Sequence, residues 1–272
     1  MNSSIYKSVD HVVIRLLEAE PLHELFSDLF GLPVSWPLQR EAFATYGWVS
    51  VGNTNLEFWA AASNADLPPE CQPPLVHGFA LDPAHLGSSV TQLADLGISC
   101  KEPRAFESQN AQGIEVTNFT NSVVLDVSSN SCCVFFCEWD ANGSIFPWKE
   151  KLTPVQRKAK EQAAVLRCAG GSLGIIGLFE IELAVTDLDT ATEKWQTLTG
   201  SSSDPITLTP DIQLRLVRGE QHRVRSLTFA VRSLAQAKAF LVAHQLLETS
   251  DSKELMILRH RTAGLFFRLV QA

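Results

Sequence analysis

Four residues of types that bind metal ions or carry protons recur in similar surroundings along the first half of the chain. His11 sits in VDHVVIRL, Glu57 in NTNLEFWA, His77 in PPLVHGFAL and Glu138 in CCVFFCEW. Each segment has the β-branched and aromatic composition of a strand. In the first, alternation sets His11 on one face with Val9, Val13 and Arg15, while Val12, Ile14 and Leu16 share the other. Imidazole nitrogen and carboxylate oxygen suit a divalent ion such as zinc, nickel, iron or manganese, with open positions for water or substrate. Two glutamates would neutralise that ion. Without it, two carboxylates facing one cavity repel, and at least one should hold a proton near neutrality. Burying such groups unpaired costs several kcal/mol each. Either they share a ligand, or one or more points outward, or the glutamates pair with arginines such as Arg15 or Arg40.

The elements that must position these residues follow a repeated plan. After the first strand, residues 18–29 carry Leu22, Leu25, Phe26 and Leu29 at helical spacing, with Pro21 in the first turn and Gly31 as a stop. Strands are expected at 43–51 and 55–60. A proline-rich loop at 61–74 precedes a second unit: strand 75–81, helix 83–96, and strands 114–119, 123–127 and 133–139. Thr153-Pro154 starts a helix that Gly170-Gly171 ends, and its Arg157, Lys158 and Lys160 suggest a solvated face. The second half repeats the plan: strand 178–185, helix 189–198, strand at 206–217, strand 224–231, helix 234–247, and strands 255–259 and 264–270.

A fourfold βαβββ repeat carrying these residues resembles the vicinal oxygen chelate superfamily, which includes glyoxalase I, extradiol dioxygenases and the bleomycin resistance proteins. The resemblance implies an α+β fold of four βαβββ units forming two tandem cupped barrels. It divides the chain into a glyoxalase-like domain at 1–148, a linker helix at 149–171, and a degenerate glyoxalase-like domain at 172–272. The order His11, Glu57, His77, Glu138 is similar to the ligand order of bacterial glyoxalase I, and FFCEWD and GSLGIIGLFEIELAVTDLDTA resemble less characterised glyoxalase-like proteins of this length. It implies a divalent metal held by these four residues, with Glu57 or Glu138 as the catalytic base. The activity implied is a metal-dependent lyase or isomerase polarising a small carbonyl or enediolate substrate. Two alternatives share the architecture: a sequestering protein of the bleomycin-resistance type, and an extradiol-type dioxygenase, which uses two histidines and one carboxylate.

Matching the halves sets Glu180 opposite His11, Arg215 opposite Glu57, Arg225 and Ser226 near His77, and Arg268 opposite Glu138. Arginine cannot ligate a cation, so the second half should not hold the same metal. It is either a degenerate repeat or a place where Glu180, Arg215 and Arg268 form an ion-pair network or an anion pocket. Elsewhere, His23, His85 and His244 fall on helices as surface or capping residues, and the aromatics Tyr46, Trp48, Phe58, Trp59, Phe79, Phe136 and Trp139 are mostly core, with a few able to line the cup above a metal, where apolar walls exclude water.

Composition bounds the rest. With 272 residues, 45% hydrophobic and 19% charged, the chain is a folded globular protein. A net charge of −8 without a basic stripe argues against nucleic acid. The start lacks an apolar signal core and no apolar run reaches bilayer length, so a cytoplasmic protein is expected. Six scattered cysteines fit buried free thiols. The expected partner is a small-molecule substrate, and a homodimer is the default assembly.

Overall fold

The computed structural model describes residues 5–147 and 150–272; the expected domain boundary at 148–149 lies outside the described residues. The first unit is β1 (Tyr6–Arg15), α1 (Glu20–Glu24, continued by a wider turn at Leu25–Leu29), β2 (Val34–Arg40), β3 (Ala44–Ser50) and β4 (Asn55–Ala61). The second is β5 (Leu75–Pro83), α2 (Leu86–Asp95), β6 (Arg104–Gln109), β7 (Glu115–Val123) and β8 (Cys133–Trp139). After α3 (Pro154–Arg167) come β9 (Ile175–Val185), α4 (Leu188–Thr199), β10 (Ile206–Thr209) and β11 (Ile212–Arg218). Last are β12 (Arg223–Val231), α5 (Leu234–Ala243), β13 (Leu247–Ser250), β14 (Glu254–Ile257) and β15 (Phe266–Gln271).

The strands form two curled sheets, ordered β2-β3-β4-β1-β5-β8-β7-β6 and β10-β11-β9-β12-β15-β14-β13. In each, the first strands of two units pair antiparallel at the centre, β1 with β5 and β9 with β12, and the remaining strands of each unit fan outward. The third unit is one strand short. The serines between α4 and β10 instead bond among themselves and to Thr207, so that stretch is held by local hydrogen bonds and not by a strand ladder.

Local signals place the helices. Thr153 and Gln156 close a reciprocal capping box on α3, Asp187 caps α4 through Thr190 N–H, and Gly200 ends α4 with φ near 69°. The expected helix over 83–96 begins only at Leu86, because β5 runs on to Pro83. The expected strand over 123–127 is instead a short turn at Leu125–Val127.

Each sheet has two faces with different fates. On the face of the first sheet turned from its cup, Val12, Ile14, Leu56, Phe58, Val134 and Phe136 are fully buried. They join one continuous core with the second sheet: Phe26 of the α1 segment touches Phe58 on one side and Phe229 and Phe267 on the other. His23, expected at the surface, is buried beside Phe58 in this layer. All six cysteines are free thiols.

Candidate active site

The concave face of the first sheet encloses a cavity of about 470 Å3. Its walls are aromatic: Trp36, Trp48 and Trp139 at one end, Phe43, Tyr46 and Trp59 along one side, Phe106 and Phe119 along the other. Tyr46 and Trp59 stack at 5.2 Å, and Phe106 and Phe119 at 5.0 Å. Of the aromatics read as mostly core, Tyr46, Trp48, Trp59 and Trp139 line this cavity, whereas Phe58, Phe79 and Phe136 belong to the core.

Three of the four expected residues meet here. His11, Glu57 and His77 all line the cavity. Glu57 pairs in register with Val13, two residues along β1 from His11, so both side chains rise from adjacent strands on one face. His11 Nε2 lies 3.5 Å from Glu57 Oε2. Glu138 is placed elsewhere. On β8 the residues facing the cup are Cys133, Phe135, Cys137 and Trp139, and Glu138 has the opposite parity. Its carboxylate accepts the Leu86 backbone N–H at the start of α2, 2.9 Å away. Arg40 pairs with Glu20 and not with Glu57.

Beneath His11 lies a charged cluster that the sequence did not reveal. The pairing of β1 with β5 slips between Val9 and His11, and this irregularity lets neighbouring Asp10 and His11 side chains meet. Asp10 Oδ2 accepts from His11 Nδ1 at 2.8 Å and from Trp139 Nε1 at 2.9 Å. Its other oxygen accepts from Arg157 Nη2 at 2.7 Å, and the Arg157 guanidinium lies 5.0 Å from the Trp139 ring centre. Arg157 is 6% exposed, so α3 presents a buried cation to the site where the sequence suggested a solvated basic face. Only the Asp-His adjacency could have hinted at this cluster, since Arg157 is distant in sequence.

The electrostatics follow from burial and partners. Burial alone would raise the pKa of Asp10, but the Arg157 charge and the His11 and Trp139 hydrogen bonds outweigh it and hold the carboxyl well below the usual range. An ionised Asp10 favours a proton on His11 Nδ1 and orients the ring so that Nε2 faces Glu57. For Glu57 burial dominates and raises the pKa, against the opposing pull of His11 and a hydrogen bond from Trp48. Burial and the Arg15 charge lower the His77 pKa to about 4, so its imidazole is neutral at pH 7, and its buried Nδ1 has no hydrogen-bond partner.

As donors for a divalent ion these residues fit in type and fall short in position. Two ligands about 2.1 Å from one ion stand roughly 3–3.5 Å apart, as His11 Nε2 and Glu57 Oε2 do. The unsatisfied Nδ1 of His77 offers a third nitrogen. Among the described residues, however, no three His, Cys, Asp or Glu side chains converge closely enough to hold an ion.

No family model matches the sequence, and no curated protein does. Solved structures do match the fold. A hypothetical protein from Staphylococcus aureus aligns with TM-score 0.58 at 10% identity, over 97% of this chain and 99% of that one. Homoprotocatechuate 2,3-dioxygenase from Arthrobacter globiformis aligns with TM-score 0.58 at 14% identity, over 99% and 81%. The 2,3-dioxygenase LapB from Pseudomonas sp. KL28 aligns with TM-score 0.57 at 11% identity, over 99% and 93%. The α+β fold of two curled sheets is therefore the one these extradiol dioxygenases have. Among the described residues, no helix is long and apolar enough to cross a membrane.

Proposed function

We propose that the first cup is the active site of an enzyme that moves a proton on a small, flat carbonyl or enediolate substrate. The observation that carries this reading is the Asp10–His11–Glu57 chain at the floor of an aromatic cavity. The stacked walls receive an apolar ring or conjugated plane, which brings the polar end of the substrate to Glu57 and His11. Glu57, desolvated, is a stronger base than an exposed carboxylate once ionised. It takes the proton from carbon, and His11 relays a proton at Nε2 while Asp10 steadies the imidazole. The neutral imidazole of His77 accepts or donates one hydrogen bond to a substrate oxygen.

The test is solvent-deuterium exchange at the carbinol carbon next to the carbonyl in a panel of aryl α-hydroxyketones, followed by proton NMR. The wild type should catalyse exchange with at least one compound, and E57Q should lose it by about 100-fold or more. Absence of catalysed exchange across the panel would defeat the proton-transfer reading.

A second reading rests on the placement of Glu138. With that residue outside the cup, the donors facing it are two imidazoles and one carboxylate, His11, His77 and Glu57. That set suits a ferrous ion with open positions, as the extradiol-type alternative requires. His11, Glu57 and His77 would be the residues to hold such an ion, which would supply Lewis-acid or oxygen-binding chemistry. Oxygen consumption with catechols, stimulated by ferrous iron and lost in H77A, would support it; no stimulation would remove it.

A further inference from the structure

The second cup copies the geometry of the first with another set of charges. Glu180 of β9 pairs with Thr228 of β12 as His11 pairs with Ala80, and Arg215 pairs with Glu182 as Glu57 pairs with Val13. Arg225 falls where the β12 register slips, as His77 does on β5. Arg268 pairs with Thr228 as Phe135 pairs with Ala80, which places it opposite Phe135 and not opposite Glu138 as the sequence suggested.

The two carboxylates of this cup are served unequally. Glu180 is closed by Arg215, whose Nη2 and Nε lie 2.7 and 2.9 Å from Oε2. Glu182 lies between two guanidiniums without closing either, 3.6 Å from Arg225 Nε and 3.5 Å from Arg268 Nη1. Charge-assisted hydrogen bonds of this type are about 2.7–2.9 Å long. The Nε of Arg268 is buried and has no partner. Arginine carries five N–H donors, so most of the donors of this pair remain to be used. A cavity of about 460 Å3 opens above them, flanked by Gly219 and Arg223. Arg223, Arg225 and Arg268 face it against Glu182 and Glu220, an excess of one positive charge within a chain of net charge −8.

We propose that the second cup is a ligand site for a small oxyanion, a carboxylate or phosphate group, gripped between Arg225 and Arg268. Glu182 at its floor spreads the two guanidiniums and turns their spare donors toward the cavity. The geometry is independent of the chemistry assigned to the first cup.

Calorimetric titration of the full chain with inorganic phosphate, and separately with succinate, tests this against sodium chloride at matched ionic strength. One saturable site per chain is expected for at least one of the two, with the tighter anion naming the group. R225Q and R268Q should each weaken it by about tenfold or more, while R40Q, at the end of the edge strand β2 in the other sheet, should leave it unchanged. Circular dichroism checks that each variant is folded. Arg225 is more than half exposed, so R225Q is expected to fold even if R268Q does not. Binding that does not exceed the chloride control, or equal affinity in R225Q and wild type, would overturn the proposal.

Discussion

Replacing Arg157 by methionine should destabilise the protein in a way that depends on pH. The Asp10 and Arg157 side chains are 9% and 7% exposed, and Asp10 Oδ1 accepts from Arg157 Nη2 at 2.7 Å. Removing one partner of a buried pair costs about 3–5 kcal/mol, mostly because the other charge stays buried alone. For a chain of this size, with a urea slope of about 3 kcal/mol per molar, the unfolding midpoint should fall by roughly 1–1.7 M at pH 7. The sign with pH follows from the depressed folded pKa of Asp10. Its ionised form contributes stability above the ordinary aspartate value, and that contribution is lost as pH falls toward the lower folded value. In the variant, burial without the guanidinium raises the Asp10 pKa, so the penalty is greatest at neutral pH and relaxes as the carboxyl takes up a proton. The gap between wild type and variant should therefore shrink between pH 7 and pH 3.5, and D10N/R157M should regain most of the loss at pH 7. A loss below about 1 kcal/mol at pH 7, or one that does not change with pH, would refute the buried pair as the support of His11.

Further outcomes can be checked by the same unfolding measurement. The folded pKa of Glu57 is raised, so its ionisation costs stability as pH rises from the ordinary glutamate value through the folded one; E57Q should stabilise the protein at pH 8 and have little effect at pH 4. Gly78 on β5, with φ near 134°, leaves no room for a Cβ, which would collide with the Cys133 carbonyl oxygen; G78A should cost about 2–3 kcal/mol and disturb His77 beside it. Phe26 joins both sheets, so F26A should cost about 3–5 kcal/mol and lower the midpoint of both halves together.

Much of the fold was legible because alternation and helix punctuation agree. His11, Glu57 and His77 lie on strands whose cup face is marked by polar or aromatic residues against a core face of valine, leucine and phenylalanine. β8 carries no such mark. Its two faces, Val134 and Phe136 against Cys133, Phe135 and Cys137, are both apolar, so parity cannot be read and Glu138 was assigned to the wrong side. The strands β2, β6 and β13 escaped notice because they are short or lie at sheet edges with exposed, polar residues. Asp10 was hidden by a register slip that no alternation rule anticipates, and Arg157 by a helix whose composition looks solvated until its partner is known.

The most direct measurement is the ionisation of Glu57 in the ligand-free protein, read from the carboxyl carbon-13 NMR signal that disappears in E57Q. This carboxyl should titrate above the ordinary glutamate range, and its titration should shift in H11N, because His11 and Glu57 face each other at 3.5 Å. An ordinary or lowered midpoint, indifferent to His11, would contradict the claim that these two residues form the proton-handling centre of the cup.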